Sequence, residues 1–267
     1  MISGVPDKFQ QIRADLAAAF LLLSRVPVVW FTFDETTSPD FSRALWAFPI
    51  VGLVVGIIAG CFMLAGVDLG LPPLLIAGIG AVVMALLTGA MHEDGIADTA
   101  DGFGGGRDAA RKADIMHDSR IGTYGVMALV LSTICRVAII MGLMEIFSGW
   151  TFVLIIAGMG AAARFQVIVL LQFFALSPFA KLGMVTSKPS AVQFIVGLVI
   201  WAELLRLLTS FGMELLVVVV TTVVTVWLGR LATRQIGGVT GDVMGTSIIL
   251  GEIGAGLTII AANHLIG

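Results

Sequence analysis

Residues 45–66 read LWAFPIVGLVVGIIAGCFMLAG, an apolar stretch without a charged side chain. A bilayer core about 30 Å thick requires about 20 apolar residues in helical conformation. The span expected at 191–208 is the weakest, because it is short and contains Glu203 and Arg206. The sequence predicts an all-α, polytopic integral membrane helix bundle of about seven transmembrane helices, within a range of about six to eight. The seven spans are 45–66, 71–91, 121–147, 151–176, 191–208, 211–228 and 245–265.

The composition excludes a soluble protein. Of the 267 residues, 58% are hydrophobic and 12% are charged, whereas soluble domains carry about a quarter charged residues. The formal net charge of −3 offers no basic surface, so nucleic acid is not an expected partner. The lipid bilayer is the expected surrounding of a single membrane-embedded domain covering residues 1–267, and the sequence leaves a homo-oligomer open.

An amphipathic helix is expected before the first span. Its apolar side chains share one helical face, which is typical of a helix that lies in the lipid headgroup region. This face comprises Phe9, Ile12, Leu16, Phe20 and Leu23, while Lys8, Gln11, Arg13 and Asp15 lie elsewhere.

Basic residues mark one side of the membrane. Twelve of the 15 lysines and arginines precede the first span or lie in alternate connections, whereas the turns at 67–70, 148–150 and 209–210 contain none. Because cytoplasmic loops are enriched in Lys and Arg, the loop 92–120 is predicted to face the cytoplasm in a multi-pass protein of the cytoplasmic (inner) membrane. The twelve are Lys8, Arg13, Arg25, Arg43, Arg107, Arg111, Lys112, Arg120, Lys181, Lys188, Arg230 and Arg234.

Small residues are expected to let the helices pack closely. Gly52, Gly56 and Gly60 recur every four residues in the first span. Since lipid gives no hydrophobic drive for helix association, small side chains that permit close backbone approach are common at such interfaces.

The loop 92–120 reads HEDGIADTADGFGGGRDAARKADIMHDSR and holds seven of the 18 acidic residues. So many carboxylates repel one another unless a cation neutralises them, and carboxylate oxygen is a preferred ligand of Mg²⁺. If the second span continues as a helix, Asp94, Asp98 and Asp101 stack on one face beyond the membrane surface. Asp118 would then close the site from the far end of the loop. The alternative is a loop of solvated charges.

The run GFGGGR at 102–107 is expected to bind phosphate. Its glycines, Gly104, Gly105 and Gly106, would present free backbone N–H groups beside Arg107. Carboxylates for a metal, together with cations and N–H groups for phosphates, are the components of a Mg²⁺-phosphate site.

Two histidines lie in the same loop. His92 and His117 are too far apart in sequence for a zinc motif. Each is a candidate for phosphate contact or acid/base chemistry, or is a hydrogen-bonded structural histidine.

A second polar segment, RQIGGVTGDVMGTS at 234–247, is predicted on the same side. Its glycines are expected to prevent a simple helix. Thr240 and Asp242 could add phosphate or metal ligands, or the segment is a plain connection.

Three charged residues fall inside spans, Arg136, Arg164 and Glu252. Charges are costly in hydrocarbon, so each should face a partner or a water-filled cavity. A buried ion pair and a substrate contact are both open interpretations.

The segment HEDGIADTADGFGGG, followed by IMHDSRIGTYGVMAL, resembles the signature of the cobalamin synthase family. These adenosylcobinamide-GDP ribazoletransferases are integral membrane enzymes of the last steps of vitamin B12 assembly. Three further segments fit the family: LLLSRVPV, which ends at Val28, SRALWAFPIVGLVVG at 42–56, and GGVTGDVMG at 237–245. The resemblance covers about residue 20 to residue 255.

The resemblance implies Mg²⁺-dependent transfer of the phosphocobinamide group of adenosylcobinamide-GDP to α-ribazole or its 5′-phosphate. The products would be adenosylcobalamin or its 5′-phosphate and GMP, formed when the ribazole 3′-hydroxyl attacks the phosphorus nearest the cobinamide. Glu93, Asp94 and His92 are alternative acceptors of the hydroxyl proton. The implied metal ligands are Asp94, Asp98, Asp101, Asp118 and Asp242, and the implied phosphate or substrate contacts are Gly104, Gly105, Gly106, Arg107, His117, Arg120, Arg164 and Thr240.

Two other functions compete. A divalent-cation transporter would use Arg136, Arg164 and Glu252 as its path, but it predicts acids near the midplane of several helices. A membrane phosphotransferase of the CDP-alcohol type also uses an acidic Mg²⁺ cluster, but the aspartate spacing here does not follow its usual D-G-x-x-A-R pattern.

Overall fold

The computed structural model describes residues 8–33, 38–180 and 188–266, and these fold into α-helices joined by short connections. The expected all-α architecture is confirmed. In chain order the helices are α1 (Lys8–Leu23), α2 (Phe48–Asp68, after a 3-10 turn at Arg43–Ala47), α3 (Pro73–Thr88), α4 (Met91–Gly105), α5 (Ala109–Met116), α6 (Thr123–Ile146), α7 (Gly149–Phe173), α8 (Ala191–Leu208), α9 (Phe211–Ile236) and α10 (Gly241–Ile266).

Six of these helices are long and apolar enough to cross a membrane, counting the 3-10 turn with α2. Helices α3 and α4 pass the same test only as a pair, and they are bent by 90° with respect to each other. The protein is therefore a multi-pass membrane protein, and its described residues provide six or seven candidate spans. The weak span predicted at 191–208 is present as α8, where Arg206 and Glu203 form an exposed ion pair.

Helix α7 lies at the centre of the bundle, and 94% of its apolar 18-residue stretch is buried. It packs against α2 through the predicted small residues. A Cβ atom built on Gly52 would lie 2.1 Å from the carbonyl oxygen of Gly160, and one on Gly56 would lie 2.5 Å from the Cα of Ala157. Only glycine permits this approach, so the close-packing prediction is confirmed.

The basic connections meet at one end of the bundle. Lys112 of α5 donates a hydrogen bond to the side chain of Gln235 in α9. The connection after α7 is hydrogen-bonded to the connection before α10, because the N–H of Ser177 donates to the carbonyl of Val239 at 2.9 Å. Three predicted same-side segments thus share one end, although Lys181 lies outside the described residues.

The prediction that glycines prevent a simple helix over 234–247 is confirmed. Helix α9 continues to Ile236 and α10 begins at Gly241, which leaves only 237–240 as a connection. Gly237 ends α9 in the left-handed conformation with φ 75°, the usual role of glycine at a helix C-terminus.

The N-terminal helix α1 is anchored by a buried acid. Asp15 accepts hydrogen bonds from Arg43 Nε at 2.6 Å and from Trp46 Nε1 at 3.1 Å, which fixes α1 against the turn that opens α2. Phe9 and Ile12, from the predicted apolar face, have 64% and 47% of their surface exposed. The location of this face in the lipid headgroups stays a prediction.

Candidate active site

The second apolar segment does not continue as a straight helix into the acidic region, contrary to expectation. Gly89 and Ala90 both adopt the left-handed conformation, with φ 65° and 55°. This conformation costs a residue with a Cβ, such as Ala90, about 1–2 kcal/mol, and strain of this kind is often found at functional sites. The bend starts α4 in a new direction, and the carboxylates therefore belong to a separate helix.

Helix α4 packs closely against the start of α10. A Cβ atom on Gly95 would lie 2.8 Å from the carbonyl oxygen of Asp242. The hydroxyl of Thr246 lies 3.1 Å from the carbonyl oxygen of Gly95 and 2.9 Å from the hydroxyl of Thr99. This contact brings the carboxylates of α4 beside that of Asp242.

Four carboxylates therefore share one region. Asp94, Asp242 and Asp101 lie close enough to Asp98 for their charges to repel its own. Among the described residues no group of three His, Cys, Asp or Glu side chains is already arranged to hold a metal. The chemistry still fits Mg²⁺, which commonly binds one or two carboxylates and completes its shell with water and substrate phosphate.

Asp94 and Asp98 border a large open cleft, here called the acidic cleft, with a volume of about 950 Å³. It lies between α1, α4 and the segment that leads into α6. Both acidic side chains and cationic or ionisable bases line it, which suits a phosphorylated ligand with a bound metal. Its charged or ionisable side chains are Arg25, Glu93, Asp94, Asp98, His117, Asp118 and Arg120.

Asp118 and Arg120 form a pair at the rim of the acidic cleft. Arg120 Nη2 lies 2.7 Å from Asp118 Oδ2, and its Nε donates to the same carboxylate. Hydrogen bonds from the Arg120 side chain and backbone lower the pKa of Asp118 to about 2. The predicted metal ligand Asp118 is thus matched with an arginine, and Arg120 keeps 87% of its side chain exposed.

Asp101 has a role that the sequence analysis did not predict. Its two carboxylate oxygens accept hydrogen bonds from the backbone N–H groups of Gly122 at 2.6 Å and Gly125 at 2.8 Å. It therefore caps the start of α6 rather than facing the cleft, because these N–H groups have no partner within the helix. Asp94 and Asp98 lie on α4 as predicted, but the carboxylate of Asp101 is hydrogen-bonded to the backbone at the start of α6.

The glycine run is not a phosphate loop, and that expectation is corrected. Residues through Gly105 are helical, and the N–H of Gly106 donates to the carbonyl of Gly102. A Cβ on Gly104 would lie 2.6 Å from the ring of Tyr124, and one on Gly106 would meet Lys112. These glycines serve close packing, and Arg107 lies outside the cavities described here.

For Arg164 the structure shows a buried ion pair, which is one of the two interpretations that the sequence left open. It is 1% exposed and its Nη1 lies 2.5 Å from Glu252 Oε1. Arg136 binds the other oxygen of Glu252 at 2.9 Å and reaches Glu93 at 2.7 Å. The four side chains form a balanced buried network, with two positive and two negative charges, that joins α4, α6, α7 and α10. Their mutual pairing removes the argument for an ion path.

A second cavity, here called the inner cavity, adjoins the acidic cleft. Its volume is about 330 Å³, and Asp94 and His117 border both spaces. Asp242 and Thr240, from the start of α10, also line the inner cavity, as does His92. The two polar segments predicted to cooperate, 92–120 and 234–247, therefore do meet.

Arg25 lines the acidic cleft, although the sequence analysis did not assign it to the site. In the sequence it only interrupts an apolar stretch. In the structure its backbone N–H donates to the carbonyl of Leu87 at 2.6 Å, its side chain lies against Gly89, and it borders the acidic cleft. Its position, as a basic residue at the end of an apolar helix, is the feature of the sequence that could have indicated a site residue.

Fold and site together define a multi-pass membrane protein with a cleft suited to phosphorylated ligands and hard cations. Residues 15–260 match the family model described as CobS, cobalamin-5-phosphate synthase. A protein of Azorhizobium caulinodans named adenosylcobinamide-GDP ribazoletransferase is 36% identical over 96% of this chain and 100% of its own length. One of the same name from Bradyrhizobium diazoefficiens is 38% identical over 95% of each chain. No solved structure matches.

The chain belongs to the cobalamin-5-phosphate synthase family. It is a transferase of cobalamin biosynthesis.

Proposed function

We propose that the protein transfers the phosphocobinamide group of adenosylcobinamide-GDP to α-ribazole or its 5′-phosphate and releases GMP. The observation that carries this proposal is the acidic cleft, which is lined by Asp94, Asp98, Arg25 and Arg120. Asp242, on the wall of the adjoining inner cavity, lies near Asp98. The names of the relatives indicate adenosylcobinamide-GDP and a ribazole as the substrates.

The proposed reaction moves one phosphoryl group. The ribazole 3′-hydroxyl oxygen bonds to the phosphorus nearest the cobinamide, and the bond from that phosphorus to the bridging oxygen of the pyrophosphate breaks. The oxygen leaves with GMP. Arg25 and Arg120 balance the negative charge of the phosphates and His117 contacts them, since positioning and electrostatics supply most of the catalysis in phosphoryl transfer.

Asp98 and Asp242 would hold Mg²⁺ in this scheme. When bound, the ion neutralises pyrophosphate charge and polarises phosphoryl oxygens. Asp94 borders both cavities, so we assign it to accept the proton of the attacking hydroxyl.

Glu93 is instead a positioning residue. Its carboxylate is bound to Arg136 at 2.7 Å, which fixes α4 and thereby orients the neighbouring Asp94.

The first experiment is a product assay. Purified protein is incubated with adenosylcobinamide-GDP, α-ribazole 5′-phosphate and Mg²⁺, and GMP and corrinoids are followed by mass spectrometry. Equal amounts of GMP and adenosylcobalamin 5′-phosphate are expected, with loss of both in EDTA and in Asp98→Asn. Asp114→Asn, an exposed position on α5, is the matched control and should remain active. Folded wild-type protein that yields neither product would overturn the proposal.

We further propose that the acidic cleft opens to the cytoplasm from the inner membrane. The concentration of basic residues at that end of the bundle supports this orientation. In a variant without its native cysteines, Arg107→Cys should react with an impermeant thiol reagent only from the cytoplasmic side. Labelling from the opposite side of intact cells would reverse the orientation.

A further inference from the structure

The inner cavity differs in character from the acidic cleft. Apolar side chains from the end of α1, the starts of α2 and α4, α7 and the first turns of α10 form most of its wall. Its two carboxylates are Asp94, which also borders the acidic cleft, and Asp242. The apolar residues are Leu22, Leu23, Phe48, Met91, Val167, Met244 and Ile248. A wall of this kind, with a few polar groups at one side, is typical of a site for an organic ligand.

His92 is the unsatisfied polar group of this wall. It is 2% exposed, and neither Nδ1 nor Nε2 has a hydrogen-bond partner among the described residues. Buried polar atoms are nearly always paired, and a neutral imidazole offers one donor and one acceptor. The histidine therefore points to a ligand with polar atoms inside an otherwise apolar space.

The sizes of the two spaces separate the two substrates. The inner cavity, at about 330 Å³, lies at the small end of the range of about 300–1,000 Å³ that ligand sites occupy. It suits one bicyclic base and its sugar. The corrinoid nucleotide, with a macrocycle and a second nucleoside, requires the open acidic cleft of about 950 Å³.

The shared border gives the geometry of attack. Asp94 and His117 line both spaces, so a sugar hydroxyl at the mouth of the inner cavity would face phosphates in the acidic cleft. An aromatic base further inside would lie beside Phe48, and aromatic rings stack favourably on heterocycles.

We propose that the inner cavity is the α-ribazole site, with the benzimidazole base among Phe48, Val167 and Ile248 and with His92 hydrogen-bonded to the nucleoside. The sugar is directed to Asp94. This inference rests on the proposed function and adds which substrate occupies which space.

The test measures the KM for each substrate separately. Phe48→Leu removes the aromatic face, and Phe152→Leu, at a buried position of α7 outside this cavity, is its control. The inference predicts that Phe48→Leu raises the KM for α-ribazole 5′-phosphate by about tenfold, the effect of losing one stacking contact, and changes the KM for adenosylcobinamide-GDP by less than about twofold. Phe152→Leu should change neither KM beyond that limit.

A filling variant gives a second, independent readout. Val167→Phe places a large ring in the cavity, and Val169→Phe puts the same ring in a buried position two residues away on α7. Folded Val167→Phe should lose binding of α-ribazole 5′-phosphate, measured by calorimetry, while Val169→Phe retains it. Unchanged ribazole binding in both cavity variants, or an equal loss for both substrates, would overturn the inference. An inactive wild-type protein would instead refute the proposed function.

Discussion

The buried network around Glu252 permits a quantitative prediction. Glu252 is 6% exposed, and its two oxygens bind Arg164 at 2.5 Å and Arg136 at 2.9 Å. Glu252→Gln keeps the shape but removes the charge. Arg136 then retains Glu93, whereas Arg164 has no remaining anion in the network.

A buried charge that loses its partner destabilises a protein by about 3–5 kcal/mol. We therefore expect Glu252→Gln to lower the free energy of unfolding by this amount. Adding Arg164→Met removes the unpaired cation and restores the charge balance, so the double variant should be more stable than the sum of the two single effects by about 1–3 kcal/mol.

The assay is unfolding in mixed micelles, followed by circular dichroism, for the wild type, both single variants and the double variant. The control is Glu203→Gln, which breaks the exposed pair with Arg206. Surface pairs of this kind contribute about 0–1 kcal/mol, and both side chains are about half exposed. Additive effects, or a Glu252→Gln cost as small as that of the control, would refute the described coupling.

Three further outcomes follow from named contacts. Gly56→Val should prevent stable folding, because a Cβ there would lie 2.5 Å from the backbone of α7. The control Gly78→Val in α3, where nothing lies within 4 Å, should express normally. Equal yields of folded protein for the two variants would contradict the close contact. Arg25→Gln should raise the KM for adenosylcobinamide-GDP about tenfold, because one charge-assisted phosphate contact is lost. The control Arg107→Gln should leave this KM unchanged. An unchanged KM in Arg25→Gln would exclude the contact. Asp101→Ala should reduce stability by about 1–2 kcal/mol through loss of the α6 cap, measured by thermal unfolding, and a melting temperature equal to that of wild type would exclude the capping role.

Hydropathy alone predicted most of the bundle. The apolar stretches correspond to α2, α3 and α6–α10, and the four-residue glycine repeat predicted the contact of α2 with another helix. These features are encoded locally, because length and apolar composition determine whether a segment can cross a bilayer.

The geometry of the site could not be predicted from local sequence patterns. The bend after Thr88 depends on Ala90 adopting a conformation unfavourable for alanine, which no composition pattern signals. The partners of Glu252 come from helices about 90 and 115 residues earlier in the chain. The glycine run resembled a phosphate loop, yet its close neighbours, such as Tyr124, require glycine for packing.

The central claim is that the carboxylates of α4 and α10 bind a divalent cation where the phosphates lie. Electron paramagnetic resonance of Mn²⁺, used in place of Mg²⁺, measures this binding without turnover. The account predicts a bound Mn²⁺ signal in wild-type protein and in Asp114→Asn, and at least about a tenfold weaker affinity in Asp98→Asn and Asp242→Asn. Wild-type affinity in both Asp98→Asn and Asp242→Asn would contradict it.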